Sequence, residues 1–224
     1  MRNTPERATR ERILEVAEAF LGEYGYHGTR LHHIAHRVGI QKASLFHYFP
    51  SKEHLYRAVL EEGFGETEQT LRRALEGQAS PLEKIRALIE AYVDMVAAHP
   101  SRTRILLRLS LGDAPEGYET SNSERLLQLL AAFVGAAQEA KALAPIDPVQ
   151  MILSVIGMVA FFFTSGPVVA PTFVGDPLKP AAVERIKRHV VDVVQRCLAG
   201  ARASDVAEEA ALSHVAAQPT RAAR

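Results

Sequence analysis

Apolar side chains recur every three or four residues along almost all of this 224-residue chain, and strand-like alternation is scarce. A spacing of three and four residues places side chains on one face of a helix, whereas a strand alternates every second residue. The first helix shows the pattern clearly, because one of its faces carries Ile13, Ala17, Phe20 and Tyr24. The sequence therefore predicts an all-α fold with about nine helices.

Glycine and proline positions divide this helical chain into parts. Gly25, Gly39 and Pro50 separate short helical segments, which predicts a compact three-helix unit over residues 1–55. Longer helices follow, and they predict a second helical domain over residues 56–199. The alanine-rich tail, residues 200–224, has few bulky apolar groups, so we expect a flexible segment or a short extra helix there.

The stretch from Pro148 to Gly175 contains no charged residue, which raises the alternatives of a membrane segment and a buried helix. A membrane span needs roughly 20 apolar residues. The apolar run Met151–Phe163 ends earlier, at Thr164, and Gly-Pro and Ala-Pro pairs follow it. These features favour a helix surrounded by protein and no membrane partner. A charged N-terminus and a single cysteine, Cys197, predict a cytoplasmic protein without disulfides.

The formal net charge is zero, from 26 basic and 26 acidic residues, which argues against a uniformly polybasic or polyacidic protein. The charge is nevertheless uneven. Residues 1–52 hold 8 basic and 5 acidic side chains, and five of the nine histidines also lie in this segment. The N-terminal unit is therefore the part of the chain that is suited to a polyanionic partner.

Two short helices that meet at Gly39 predict a helix-turn-helix within the N-terminal unit. In the second of them, Leu45 and Phe49 occupy one face, and small, polar or cationic residues occupy the other. Such a face can enter the major groove, where Gln pairs with adenine and Lys donates to guanine. We therefore expect DNA contacts from Gln41, Lys42, Ala43, Ser44, His47 and Tyr48, and a backbone contact from Lys52. The alternative is that this is merely the polar surface of a small helical bundle.

The same segment resembles the DNA-binding region of the TetR family of bacterial repressors. The resemblance is dense over about residues 9–60, and it rests on Tyr26-His27-Gly28-Thr29, Val38-Gly39-Ile40 and Ser44–Leu55 (SLFHYFPSKEHL). It implies an effector-binding and dimerisation domain over residues 56–199, and a homodimer that binds a palindromic double-stranded DNA operator. It also implies phosphate contacts by Thr29 and Arg30, and base or backbone contacts by Lys42, Ala43, Ser44, His47, Tyr48 and Lys52. Phe46 replaces a tyrosine that contacts phosphate in the family, so that contact is expected to be missing.

Candidate ligand-binding residues lie in the second domain. Several apolar residues can line a cavity between helices or simply fill the core: Phe64, Tyr92, Met95, Phe133, Met158 and Phe162. Arg104 and Arg108 stand one turn apart. They can bind an anionic group of an effector, or they can lie on a solvated face. We expect a small, largely apolar effector of unknown identity.

The last two long helices are expected to form the dimer interface. The final helix carries apolar residues at spacings of three and four, and this stripe is wide enough to face both its own core and a partner helix. The predicted interface consists of Ile156 on the eighth helix with Val183, Ile186, Val190, Val193 and Cys197 on the ninth.

No metal site, cofactor or catalytic residue is predicted. His32 and His36 stand one turn apart, but neither a cysteine nor a carboxylate is arranged near them as a further zinc ligand. The motifs of P-loop proteins, zinc proteases and serine hydrolases do not occur. The sequence thus predicts a ligand-responsive transcriptional regulator, most simply a repressor. The alternatives are a helical enzyme or small-molecule carrier with a repressor-like first domain, and a scaffold that dimerises without binding DNA.

Overall fold

The computed structural model describes residues 5–118, 121–140, 142–169 and 171–216. Within these ranges every regular element is a helix, which confirms the all-α prediction. The helices are α1 Pro5–Gly28, α2 Leu31–Val38, α3 Lys42–Tyr48, α4 Lys52–Leu75, α5 Pro81–Ala98, α6 Pro100–Ser110, α7 Ser121–Glu139, α8 Pro148–Thr164, α9 Gly166–Val169, α10 Pro171–Val174 and α11 Pro180–Ala216.

Helices α1 to α3 and the start of α4 share one core. Ile13, Ile34, Leu45 and Leu55 are almost completely buried there, and Ile105 of α6 joins them. Each of these side chains contributes roughly 1.5–3 kcal/mol by leaving water. Helix α6 is therefore packed into the N-terminal core as well as into the second domain.

Two glycines with positive φ shape this N-terminal unit. Gly25 has φ 72° and ψ −179°, which interrupts α1 one turn before its end. Gly39 adopts the left-handed conformation, with φ 84°, and its N–H donates to the carbonyls of Ala35 and His36 at the end of α2. These conformations are costly for residues with a Cβ, so glycine sets both bends. The predicted turn at Gly39 is thus present, and it orients α3 against α2.

The N-cap of α2 differs from the prediction. A threonine just before a helical segment predicts Thr29 as the N-cap residue. In the structure, Arg30 is the N-cap residue and makes no side-chain capping bond. The hydroxyl of Thr29 instead points backwards and donates to the carbonyl of Gly25 at 2.6 Å. The same carbonyl also accepts from the backbone N–H of Thr29 at 3.2 Å, so Thr29 is bound to the last turn of α1 through both its backbone and its side chain.

The second domain has its own core, built from α5, α7, α8 and α11. Val93, Val159 and Val190 are its most deeply buried residues. Helix α5 begins with a capping box, in which Ser80 and Glu83 bond each other's backbone N–H groups. Asp147 caps α8 by accepting from the N–H groups of Val149 and Gln150.

The end of the chain differs from the sequence prediction in two ways. The prolines and glycines of residues 165–180 predict a long loop, but this segment contains the single-turn helices α9 and α10. The apolar stripe of the last helix predicts an end near Leu198, but α11 continues to Ala216, and residues 217–224 lie outside the described part. Alanine has the highest helix propensity, so an alanine-rich segment extends a preceding helix readily. Among the described residues, no helix is long and apolar enough to cross a membrane.

Candidate DNA-binding surface and ligand cavity

Helix α3 presents a polar face to solvent. Leu45 and Phe49 are buried against α1 and α2, and their burial fixes the rotation of α3 about its own axis. Tyr48 is half-buried beside them. The exposed residues among those predicted are Gln41, Lys42, Ala43, Ser44 and His47. The structure thus brings together on one surface the residues that the sequence predicted for base contacts.

The two residues before α2 that are predicted to bind phosphate differ in their exposure to solvent. Arg30 is exposed. Thr29 is only 3% exposed, and its hydroxyl lies within hydrogen-bond distance of the carbonyls of Gly25 and Phe20, at 2.6 and 3.2 Å. Its hydroxyl hydrogen is therefore engaged inside the protein, where it holds the end of α1 in place.

Lys52, at the start of α4, is held next to the end of α1. Its Nζ donates to the carbonyl of His27 at 3.3 Å and lies 4.6 Å from the centre of the Tyr26 ring. Desolvation lowers the pKa of Lys52, while Asp113 acts in the opposite direction. The ammonium group is half-buried and positioned by these contacts.

The histidines of α2 are exposed. The rings of His32 and His33 approach to 4.1 Å between centroids, and His36 lies one turn further along. Desolvation lowers the pKa of His32, and the neighbouring positive charges of His33, Arg30 and Lys42 lower it further. In the described ranges no group of three histidine, cysteine or carboxylate residues could hold a metal ion.

A cavity of about 400 Å³ lies between α4, α5, α6, α7 and α8. Its walls are almost entirely hydrocarbon, and Phe64, Tyr92 and Met95 line it as predicted. The other predicted ligand residues lie elsewhere. Phe133, Met158 and Phe162 pack into the core of the second domain, and Arg104 is exposed outside the cavity lining. Helices α7 and α8 are apolar on several faces, so the sequence did not determine which face meets the cavity.

One end of the cavity carries a charged cluster that sequence reasoning missed. Arg102 lines the cavity, and its Nε donates to Glu18 of α1 at 2.7 Å. Its Nη1 lies 2.6 Å from Glu66 of α4, as an ion pair without good hydrogen-bond alignment. His99 lines the same end and places its Nδ1 3.9 Å from Glu18. Three arginines occur within seven residues of α6, and the sequence does not distinguish them. The rotation of the helix in the fold determines that Arg102 is the one that lines the cavity.

Further contacts join α6 to the end of α1. A Cβ on Gly22 would approach the backbone of Ser101 to 2.9 Å, so the two helices pack closely at this glycine. Arg108 donates to the carbonyl of Glu23 at 2.8 Å. Asp113, just after α6, accepts from the N–H of His27 at 3.1 Å. The wall of the cavity and the helix-turn-helix unit are therefore in direct contact through α6.

The predicted dimer residues fall on two different faces. Val183, Ile186 and Val190 are buried in the core of their own chain, so they are not available to a partner. Val193 is half-buried, whereas Cys197 and Ile156 are exposed. The side of α8 that is not in the core also exposes Leu153 (47%) and Phe161 (56%). An apolar surface thus remains on α8, and it differs in its residues from the predicted one.

The family profile described as bacterial regulatory proteins, tetR family, matches residues 13–59. The profile of the tetracyclin repressor-like C-terminal domain matches residues 81–194, which is half of the chain. The chain belongs to the TetR family. The prediction of a ligand-responsive, helix-turn-helix transcriptional regulator is thereby confirmed at the level of the family, and the enzyme or carrier alternative is not favoured.

Individual TetR-family proteins agree with this assignment. The transcriptional regulator RutR of Escherichia coli K12 is 27% identical over 194 residues, covering 84% of this chain and 91% of RutR. The transcriptional repressor KstR of Mycobacterium tuberculosis is 25% identical over 123 residues, covering 54% of this chain and 56% of KstR. A crystal structure of AibR with isovaleryl coenzyme A and operator DNA shares the fold, with a TM-score of 0.66 and 24% identity over 83% of this chain and 97% of that chain.

Proposed function

We propose that this chain is a dimeric repressor that binds a palindromic operator and is released from it by a small molecule in the cavity. The observation that carries the proposal is the exposed polar face of α3 around the buried anchors Leu45 and Phe49. That face offers Lys42, Gln41 and Ser44 to base edges. A protein with this role acts in the cytoplasm, where bacterial DNA lies, and needs no catalytic residue.

Dimerisation supplies the second recognition helix. The exposed apolar residues Leu153, Ile156 and Phe161 on α8, with Val193 and Cys197 on α11, are the surface that we assign to the partner subunit. A two-fold arrangement presents two copies of α3 to half-sites about one helical turn apart, roughly 34–36 Å. The modest charge of the N-terminal unit makes both copies necessary for tight binding.

Helices α4 and α6 are the proposed route from the cavity to the DNA. Helix α4 begins beside α3 at Lys52 and lines the cavity with Phe64. Helix α6 lines the cavity with Arg102 and holds α1 through Glu18. A molecule that binds better when these helices are displaced shifts the dimer towards a spacing that no longer fits the operator.

Site selection from random double-stranded DNA with the full chain tests the proposal. We expect an inverted repeat whose affinity falls steeply as salt rises, because phosphate contacts release counterions. Lys42→Ala and Ser44→Ala should change the preferred bases, whereas Lys52→Ala should weaken all sites alike. Lys179→Ala, at an exposed lysine just before α11, is the matched control. A chain that enriches no sequence and binds without salt dependence contradicts the proposal.

A further inference from the structure

The charge on the cavity wall restricts what the cavity can hold. Among the described residues that line it, Arg102 is the only permanently charged side chain. Burial by itself would lower the pKa of Arg102, but its bonds with Glu18 and Glu66 raise it, so the group stays protonated. Two carboxylates therefore already surround one guanidinium, and the cluster carries a net negative charge when His99 is neutral. An anionic ligand at this end would meet repulsion rather than an available cation.

A neighbouring surface depression gives an independent indication of the same kind. A depression between the end of α6, the loop at residues 112–118 and the start of α7 adjoins the cavity and shares Phe64 and Leu106 with it. Glu116 is the one charged side chain among the described residues that line this depression. A carboxylate or phosphate that extended from the ligand into this depression would again face a carboxylate.

Tyr92 is a buried polar side chain among the described residues that line the apolar part of the cavity. Its hydroxyl has no hydrogen-bond partner in the described part of the chain, and burial raises its pKa to about 12. It is therefore a neutral phenol at physiological pH, able to donate or accept one hydrogen bond. The neighbouring hydroxyl of Thr67 is already used, since it donates to the carbonyl of Gly63 at 2.7 Å.

We infer that the effector is an uncharged, mainly hydrocarbon molecule whose single hydroxyl or carbonyl group bonds to Tyr92. This inference rests on the proposed function, because it assumes that the cavity is the effector site. It separates the chain from a regulator of free acids or coenzyme A thioesters, whose carboxylate or phosphate groups are best bound by lysine or arginine side chains that are not already paired.

A series of ten-carbon probes tests the inference: 1-decanol, 2-decanone, decanoate and decanoyl coenzyme A, titrated calorimetrically into the full chain at pH 8. We expect the alcohol or the ketone to bind at least ~100-fold more tightly than decanoate, because an unpaired buried carboxylate is strongly penalised. Tyr92→Phe should weaken binding of the neutral probe about 3–10-fold, the effect of one lost hydrogen bond. The double variant Glu18→Gln/Glu66→Gln releases Arg102 and should increase decanoate affinity at least ~10-fold while leaving decanol affinity unchanged.

Each outcome has a defined meaning. Equal or tighter binding of decanoate or decanoyl coenzyme A overturns the inference, and so does failure of both neutral probes to bind. Leu127→Trp fills the cavity from α7, and unchanged decanol binding by this variant would place the probe outside the cavity and also overturn it. Operator binding by the same preparation tests the proposed function separately. If the chain binds its operator but prefers an anion, only the inference about the effector is wrong. If the chain binds no DNA, the proposed function is wrong.

Discussion

Arg102 of α6 forms an ion pair with Glu18 of α1, with 2.7 Å between Nε and Oε2. The first residue belongs to the wall of the cavity, and the second belongs to the helix that packs behind the helix-turn-helix. Both side chains are less than one-fifth exposed, so solvent screens the pair only partly. This ion pair links the cavity wall directly to the N-terminal unit.

A double-mutant cycle measures this link. We expect Glu18→Gln and Arg102→Gln to show a coupling free energy of about 1–3 kcal/mol in urea unfolding, because a charge-assisted bond in a partly buried site is stronger than an exposed one. The exposed pair Asp192 and Arg196 is the control, and its cycle should give no measurable coupling. Equal coupling free energies in the two cycles would show that the pair of Glu18 and Arg102 contributes no more to stability than an exposed ion pair.

Thr29 should stabilise the fold rather than bind phosphate through its hydroxyl. Thr29→Val removes the bonds to the carbonyls of Gly25 and Phe20, and we expect a loss of about 1–3 kcal/mol in the free energy of unfolding. Thr29→Ser keeps the hydroxyl and should recover most of this loss. If Thr29→Val unfolds like the wild type but binds DNA more weakly, the phosphate role implied by the family resemblance is correct instead.

Gly39 and Gly65 form a matched pair for testing the turn. Gly39→Ala forces a Cβ into the left-handed region at φ 84° and should destabilise the chain by about 1–2 kcal/mol. Gly65 lies within α4, and a Cβ there meets no atom within 4 Å, so Gly65→Ala should stabilise by about 0.5–1 kcal/mol. Thermal unfolding measures the change in stability of both variants. A change of the same sign in both would contradict the prediction that Gly39 is needed for its left-handed conformation.

Phe161 tests the proposed dimer surface. Phe161→Asp puts a charge on the exposed apolar side of α8, and we expect a folded monomer with much weaker operator binding. Leu111→Asp, at a residue that is 85% exposed after α6, is the control and should remain dimeric. Sedimentation velocity distinguishes the two states. A Phe161→Asp dimer would place the interface elsewhere.

His32 should make the stability depend on pH. Its pKa is lowered in the folded chain, so near pH 6.5 the unfolded chain binds more protons at this residue than the folded chain does. The free energy of unfolding should therefore fall as the pH drops from 7.5 to 5, and His32→Gln should reduce this fall. Urea unfolding at several pH values measures it. An identical pH dependence in the wild type and the variant would exclude the contribution.

The sequence predicted well those features that depend on local chemistry. Gly39 marks the turn, and the alternation of Leu45 and Phe49 with polar residues determines which face of α3 is exposed. It predicted poorly those features that depend on helix rotation within the bundle. Helix α8 is apolar on nearly every side, so nothing in its sequence tells Met158, which packs in the core, from Leu153, which faces solvent.

Long-range pairing and local hydrogen bonds account for the other differences. Arg102, Arg104 and Arg108 are similar as sequence, and the first is distinguished by its place at the cavity and by its distant partners Glu18 and Glu66. Thr29 precedes α2 as an N-cap residue would, but its hydroxyl donates to the carbonyl of Gly25 one turn back. The Arg102 contact joins residues 84 positions apart, which helical periodicity cannot relate.

The affinity of the full chain for its selected operator, compared with the same operator carrying five extra base pairs at its centre, tests the central claim most directly. Five base pairs rotate one half-site by about half a turn relative to the other, so a dimer with two fixed copies of α3 cannot bind both. We predict that fluorescence anisotropy at constant salt will show at least a ~100-fold loss of affinity for the expanded site. Equal affinity for the two sites would contradict a dimeric operator-binding regulator.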